Sequence, residues 1–297
     1  MVKYNRKTRF AIFVSTVVAT SIVAGVSWSD GDVYGPFPVT LKGYNGNKSN
    51  TVSYGGQIAR HVLHDSLKKL AGKGDGGANA ASLEAEMMAY FKGSDKNKAI
   101  IAPADKGDFN IKQMTVNELS KGKNLSGKTY KGVINGWPGA MTGVEVLESM
   151  IKHAAKTKGG VDVNTGYNYP QLISKFAMGA VFYNQAIDNY LDEKLAADNK
   201  PNSKPYKDGA HYTGKEHVWD EAWGYWGAAA HSNTLSPKEN YEITKMKNLG
   251  AADLNGDGMV DLKSEYVFAH AYYAAGFDKG GKTNYMQTVN NAFLNGR

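Results

Sequence analysis

Cysteine is absent from the 297-residue sequence. No disulfide can therefore stabilise the fold, and no lipid can be attached to a cysteine at a processed N-terminus. Residues 30–297 are long enough to bury a large core. We expect them to form one helical domain that is stabilised by packing and by bound ions.

Apart from its basic N-terminal segment, the chain also lacks a strong excess of charge of one sign. The whole chain carries a formal charge of +7, and Lys3, Arg6, Lys7 and Arg9 supply four of these charges. The remaining lysines are scattered, and no basic stripe with interleaved aromatic residues occurs. The sequence therefore predicts no nucleic-acid partner.

Known catalytic motifs are lacking as well. The sequence contains no His-Glu-x-x-His motif, no nucleophile elbow, no glycine-rich phosphate loop and no second paired-carboxylate motif. No established catalytic constellation is therefore indicated.

A long apolar run occurs only near the start of the chain. The uncharged residues 10–26 follow a basic segment and precede small residues, a pattern typical of a secretory signal peptide that is cleaved after Ser29. The alternative is a retained membrane anchor, for which this run is short. We expect residues 1–29 to be removed and the protein to reside in the periplasm or on the surface of a bacterium, with no membrane span.

Apolar residues recur at helical spacing along most of the remaining chain. The pattern predicts an all-α fold, an irregular bundle of about seven helices with almost no strand. The longest predicted helix starts at Pro170 and keeps the 3.6-residue period for five turns, and another predicted helix covers residues 264–277. Three capping boxes mark helix starts by pairing Thr142 with Glu145, Thr213 with Glu216, and Ser236 with Glu239.

An EF-hand-type calcium loop is predicted near the C-terminus, at residues 253–265, which we call the acidic loop. Its oxygen-bearing side chains stand at loop positions 1, 3, 5 and 9, with Gly258 at position 6. The bidentate glutamate of such loops belongs at position 12, which is Ser264 here, and Glu265 follows one residue later. Either Glu265 still reaches the ion or a water replaces it; the alternative is a polar turn that caps the next helix. The predicted ligands are Asp253, Asn255, Asp257, Met259 through its carbonyl, Asp261 and Glu265.

A second group of candidate ligands lies on the predicted helix that begins at Thr213. His217 and Glu221 have the i, i+4 spacing that lets two side chains hold one metal ion, and Asp220 is an alternative carboxylate. His61 and Asp65 share the same spacing in an earlier helix. If the two pairs converge, they predict a transition-metal site for iron or zinc; otherwise they are packed or solvated residues.

Three tryptophans recur on one face of the same helix, namely Trp219, Trp223 and Trp226. This spacing predicts core packing, with a platform for a small ligand as the alternative.

Four stretches of the chain together resemble a bacterial family of exported, largely helical proteins, the domain of unknown function 4856. They are Val-Ser-Tyr-Gly-Gly-Gln-Ile-Ala-Arg at residues 52–60, Leu-Ile-Ser-Lys-Phe-Ala-Met-Gly-Ala-Val-Phe-Tyr-Asn at 172–184, Tyr-Thr-Gly-Lys-Glu-His-Val-Trp-Asp-Glu-Ala-Trp-Gly-Tyr at 212–225, and the acidic loop. Members of this family tend to continue beyond the position of Arg297, so the resemblance implies a shortened form.

The chain is more remotely similar to imelysin-like periplasmic proteins linked to iron uptake. These proteins carry a Gly-x-His-x-x-Glu motif, where this chain has Glu-His-Val-Trp-Asp-Glu at residues 216–221. The resemblance implies a role in metal acquisition.

Three hypotheses about function follow. The first is a non-enzymatic, exported protein that binds calcium and serves iron or other metal acquisition, with an outer-membrane or surface protein as partner. The second is a peptide or glycan hydrolase that uses His217 with Glu221 or Asp220. The third is an adhesion or assembly module that calcium makes rigid.

Overall fold

The computed structural model describes residues 31–93, 96–196 and 201–297. These residues form ten α-helices, two π-helical segments and short 3-10 turns, and extended backbone pairs only at isolated bridges. The all-α prediction is confirmed, with more helices than the seven expected. The predicted signal peptide lies outside the described residues. The α-helices are α1 (Gly55–Ala71), α2 (Ala80–Phe91), α3 (Val116–Leu119), α4 (Gly143–Lys156), α5 (Tyr169–Ala177), α6 (Gly214–Trp226), α7 (Pro237–Thr244), α8 (Leu249–Ala252), α9 (Ala269–Asp278) and α10 (Tyr285–Gly296).

Helix α1 is the centre of the bundle. It packs against α2, α3, α4, α5 and α6. Twelve of its 17 residues are buried, and they include polar side chains such as Gln57, His61 and His64 as well as the apolar stripe. Because a buried polar group needs a hydrogen-bond partner, these side chains bind groups on neighbouring elements.

The three predicted capping boxes are all present. In each one the Ser or Thr side chain accepts the backbone N–H of the third helical residue, and the Glu at that position accepts the N–H of the capping residue. They start α4, α6 and α7, where local chemistry alone sets the boundary.

The longest predicted helix differs from the expected continuous α-helix. Helix α5 ends at Ala177, and the chain continues as π-helical segments Met178–Tyr183 and Gln185–Lys194. The second π-helical segment packs along α6. The wider turn changes which side chains face α6, so the 3.6-residue spacing does not describe this contact.

The predicted helix at residues 264–277 begins later, at Ala269. The preceding residues form a turn and a bend at 264–265 and then non-helical backbone, and distant backbone groups hold them: Ala230 donates to the Ser264 carbonyl at 2.7 Å, and Phe268 donates to the Gly227 carbonyl at 2.7 Å. Gly227 ends α6 with a φ of 84°, a left-handed conformation that suits glycine. The turn after α6 therefore fixes the start of α9.

No helix within the described ranges is long and apolar enough to cross a membrane.

Candidate functional site

The predicted pair on α6 is formed. His217 Nε2 lies 3.7 Å from Glu221 Oε2. The other Glu221 oxygen accepts hydrogen bonds from Gln57 Nε2 at 2.8 Å and from the Tyr190 hydroxyl at 3.1 Å. Burial, reinforced by the Glu221 charge, raises the pKa of Tyr190, which keeps this hydroxyl protonated as a donor. The imidazole itself packs against the rings of Tyr206 and Tyr212.

Asp220 belongs to a different cluster from this pair. Its side chain is fully buried, and its oxygens accept from the Tyr34 hydroxyl at 2.8 Å, the Ser53 N–H at 2.9 Å and Arg297 Nε at 3.0 Å. Burial raises the pKa of Asp220, and the Arg297 guanidinium opposes that rise. The structure therefore gives Asp220 a role in packing the C-terminus and not the expected role of an alternative to Glu221.

Glu216 joins the same cluster and completes the capping box. One of its oxygens accepts the Thr213 N–H at 2.7 Å, and the other accepts from Arg297 Nη1 at 3.1 Å.

The second predicted pair, His61 with Asp65, is replaced by a different one. His61 is fully buried, and its Nε2 lies 2.9 Å from the Gly224 carbonyl. Asp65 Oδ1 instead lies 2.8 Å from Nδ1 of His64. His64 Nε2 in turn lies 3.1 Å from both the hydroxyl and the carbonyl oxygen of Ser174 on α5. Spacing along α1 could not reveal this, because Ser174 is 110 residues away.

The three tryptophans differ in burial. Trp223 is buried and stacks on Tyr34 with ring centroids 4.2 Å apart, as core packing predicts. Trp219 and Trp226 are half-buried and line an apolar cavity of about 450 Å³, together with Phe182, Tyr225 and residues of α10. A cavity of this size is within the range of small-ligand sites.

The acidic loop folds around its own carboxylates. Asp253 Oδ1 accepts the N–H of Gly256 at 2.8 Å and of Asp257 at 3.1 Å, while Oδ2 accepts the N–H of Gly258 at 2.8 Å. Gly256 and Gly258 have φ values of 73° and 79°, left-handed conformations that curl the loop. The same kind of bond recurs at the other predicted ligand positions, from Asp257 N–H to Asn255 (2.9 Å), Met259 N–H to Asp257 (3.0 Å) and Lys263 N–H to Asp261 (2.9 Å).

Glu265 binds backbone groups near both ends of this loop. It is buried, and its two oxygens accept the N–H of Asp261 at 2.7 Å and of Leu254 at 3.2 Å. Burial raises the pKa of Glu265, and the charges of Asp253 and Asp261 raise it further. Although Glu265 stands one residue later than the motif requires, its carboxylate therefore returns to the loop and bonds to both its first and its last part.

A segment at residues 105–113 holds the acidic loop from outside. Val260 pairs with it through backbone bonds to Asn110 (2.8 Å) and from Lys112 (3.0 Å). Lys112 Nζ forms an ion pair with Asp257 at 3.0 Å, and Gln113 Nε2 donates to Asp261 at 2.8 Å. Nothing in the loop motif indicates these partners, which lie about 150 residues earlier.

Across the described parts of the chain, no three or more His, Asp or Glu side chains are grouped so that they could share one metal ion. His61 and His217 therefore do not converge with Asp65 and Glu221 into one site. In the acidic loop, the carboxylates bind backbone N–H groups and Lys112, so a cation would have to draw their outer oxygens together. The ligand chemistry there fits a hard cation, since all donors are oxygens.

Comparison with known proteins gives a partial match to a family model. Residues 152–256, about a third of the chain, match the family model described as Domain of unknown function (DUF4856). The match runs from the end of α4 into the acidic loop and includes the whole of α6. It agrees with the resemblance in the sequence. No curated protein and no solved structure matches the chain, so the remote similarity to imelysin-like proteins is not shown by these comparisons.

Proposed function

We propose that this chain is an exported calcium-binding helical protein and that the acidic loop holds the ion. The observation that carries the proposal is the inward bonding of the loop: Asp253 alone accepts three backbone N–H groups, which fixes its carboxylate at the loop's centre. A carboxylate offers about four lone-pair sites, so these bonds leave acceptor capacity for a cation. Export rests on the basic and apolar pattern of residues 1–29.

The position of Glu265 supports this proposal. A glutamate at loop position 13 can act as a calcium ligand only if its carboxylate returns to the loop. The bonds from the Asp261 and Leu254 N–H groups hold the carboxylate of Glu265 in that direction. Its buried charge near two other carboxylates is unfavourable without a cation, because burial and like charges both disfavour the ionised form. A divalent ion would offset both effects.

Calcium in this loop would act on the structure rather than on a reaction. The loop connects two distant parts of the chain through Val260, Lys112 and Gln113. We expect the ion to stabilise this junction, which is also what an assembly or adhesion module would require.

A role in iron or zinc acquisition has less support than calcium binding. The His217–Glu221 pair supplies two ligands 3.7 Å apart, and no third ligand joins it among the described residues. Metal analysis of the purified protein separates the proposals, since iron or zinc that is lost in His217→Ala would favour acquisition.

Calorimetric titration with CaCl₂ after chelator treatment tests the calcium proposal directly. With a dissociation constant typical of sensor-type loops, 1 mM calcium should stabilise the fold by about 3–5 kcal/mol and raise the melting temperature by roughly 6–20 °C. Glu265→Gln should weaken binding about tenfold or more, because it removes one ligand charge. Lys112→Met should tighten binding, because the lysine competes for Asp257.

Asp108→Asn is the matched control. Asp108 is exposed beside the loop but is not one of its predicted ligands. This variant should bind calcium as the wild type does. Absence of both heat and thermal shift at 5 mM calcium would show that the loop is only a polar turn.

A further inference from the structure

A carboxylate, an imidazole and a hydroxyl are hydrogen-bonded in series at the junction of α1 and α5. Asp65 Oδ1 lies 2.8 Å from His64 Nδ1, and His64 Nε2 lies 3.1 Å from Ser174 Oγ. In serine hydrolases on unrelated folds, a carboxylate orients an imidazole base, and the base activates a hydroxyl nucleophile. Asp65, His64 and Ser174 follow the same order.

The hydrogen-bond roles follow from the chemistry of the three groups. An ionised carboxylate can only accept, so the Asp65 contact places the imidazole proton on Nδ1. In the neutral ring, Nε2 then carries a lone pair, and Ser174 Oγ–H can donate to it. The Ser174 carbonyl oxygen lies at the same distance, 3.1 Å, and accepts a hydrogen bond from Nε2 only after that nitrogen has taken up the hydroxyl proton. His64 and Ser174 are 3 % and 2 % exposed, so packing restricts other rotamers.

These three residues line one cavity of about 170 Å³. At roughly 30 Å³ per water-sized group, it accommodates about five or six heavy atoms, the size of a short acyl ester. Lys68 and Lys245 also line it. The calcium proposal involves none of these residues.

The start of α9 faces the same cavity. Phe268 and Ala269 are among its lining residues, and the capping residue Phe268 makes no side-chain capping bond. The first backbone N–H groups of a helix have no partner within the helix and favour negative charge. Ala269 has a φ of 38°, a strained value for a residue with a side chain, and such strain is concentrated at functional sites.

We propose that Ser174, His64 and Asp65 form a hydrolytic site for short-chain carboxylic esters. Ser174 Oγ bonds to the carbonyl carbon as its proton passes to His64 Nε2, and the N–H groups at the start of α9 stabilise the oxyanion. The ester C–O bond then breaks, and His64 returns the proton to the departing alcohol. Water attacks the acyl group on Ser174 with His64 as base, which releases the carboxylic acid and restores the hydroxyl. Asp65 is a positioning residue.

Reaction with a fluorophosphonate probe and hydrolysis of p-nitrophenyl esters test this proposal, both in 1 mM CaCl₂. The probe should modify the wild-type protein at Ser174, as located by peptide mass spectrometry, and acetate should be hydrolysed faster than octanoate. Ser174→Ala should abolish both signals. His64→Gln should slow acylation by about 10²–10⁴-fold, the usual contribution of a general base. Asp65→Asn should lower kcat more than it changes KM, and Asp65→Glu should restore part of the loss.

Ser66→Ala is the matched control. Ser66 lies on α1 and is buried like Ser174, but its hydroxyl binds backbone groups of Ile101 and Ala102 instead of a histidine. It should keep full labelling and hydrolysis. Circular dichroism verifies that each variant is folded; should Ser174→Ala unfold, the labelled peptide of the wild type decides. Folded wild-type protein without a label on Ser174, or ester hydrolysis that persists in folded Ser174→Ala, would overturn the proposal.

Discussion

His61 has a packing role in the fold, although its imidazole is chemically able to bind a metal ion. The sequence makes it a candidate metal ligand, yet its ring packs between Phe182 and Phe268 with centroids 4.3 and 5.1 Å away. Its Nε2–H donates to the Gly224 carbonyl, and burial lowers the pKa of the ring to about 3. His61 therefore serves to join α1 to α6 as a neutral side chain.

Acid should destabilise the fold through His61. The unfolded histidine, with an ordinary pKa near 6.5, takes up a proton that the folded ring excludes, so stability is complete above pH 6.5 and declines towards pH 3. At pH 4.5 the loss from this residue is about 3 kcal/mol. Urea unfolding at pH 7.5, 6 and 4.5 should show a smaller loss in His61→Phe. His153→Phe, which removes an exposed histidine of α4, should keep the wild-type pH dependence; an unchanged slope in His61→Phe would contradict the assignment.

At the scale of elements, boundaries set by local chemistry were predictable, and boundaries set by distant contacts were not. The capping boxes of α4, α6 and α7 contain their own hydrogen-bond partners within four residues, so the sequence is sufficient. The start of α9 depends on Gly227 and Ala230, which lie more than 30 residues earlier. The π-helical turns after Ala177 leave Tyr183 and Ile187 exposed, although a period of 3.6 places both on the buried face of one continuous helix.

The same distinction applies to the candidate sites. The i, i+4 pair His217–Glu221 is formed, because one helix supplies both side chains. Ser174, Lys112 and Arg297 reach their partners only through the tertiary fold, and no spacing in the sequence indicates them.

The close packing of α1 against α6 gives a prediction at this scale. A Cβ on Gly224 would lie 2.7 Å from the Cβ atoms of both Gln57 and Tyr54, which cannot move by side-chain rotation. Gly224→Ala should therefore destabilise the fold by about 1–3 kcal/mol, despite the better helix propensity of alanine. Gly179→Ala is the control, since no atom lies within 4 Å of its Cβ position. Urea unfolding should find Gly179→Ala neutral or slightly stabilised, and equal stability of the two variants would rule out the steric explanation.

On the scale of the whole molecule, Arg297 connects three parts of the chain. Its guanidinium bonds to Asp220 and Glu216 on α6 and to the Thr51 hydroxyl, and it lies over the Phe37 ring at 4.8 Å. The side chain is only 4 % exposed, and Asp220 is fully buried. One buried charge network thus holds three parts of the chain together, namely the C-terminal residue, helix α6 and the segment before α1.

Removing this guanidinium should weaken all three connections at once. Arg297→Met leaves the Asp220 carboxylate buried without a cation, and breaking a buried pair in this way costs about 3–5 kcal/mol. The double variant Arg297→Met/Asp220→Asn should recover part of that loss, because it also removes the uncompensated charge. Chemical unfolding of the two variants gives the comparison, with exposed Lys282→Met as a control for loss of positive charge near the C-terminus. If Arg297→Met is as stable as Lys282→Met, the network does not hold the C-terminus to the bundle.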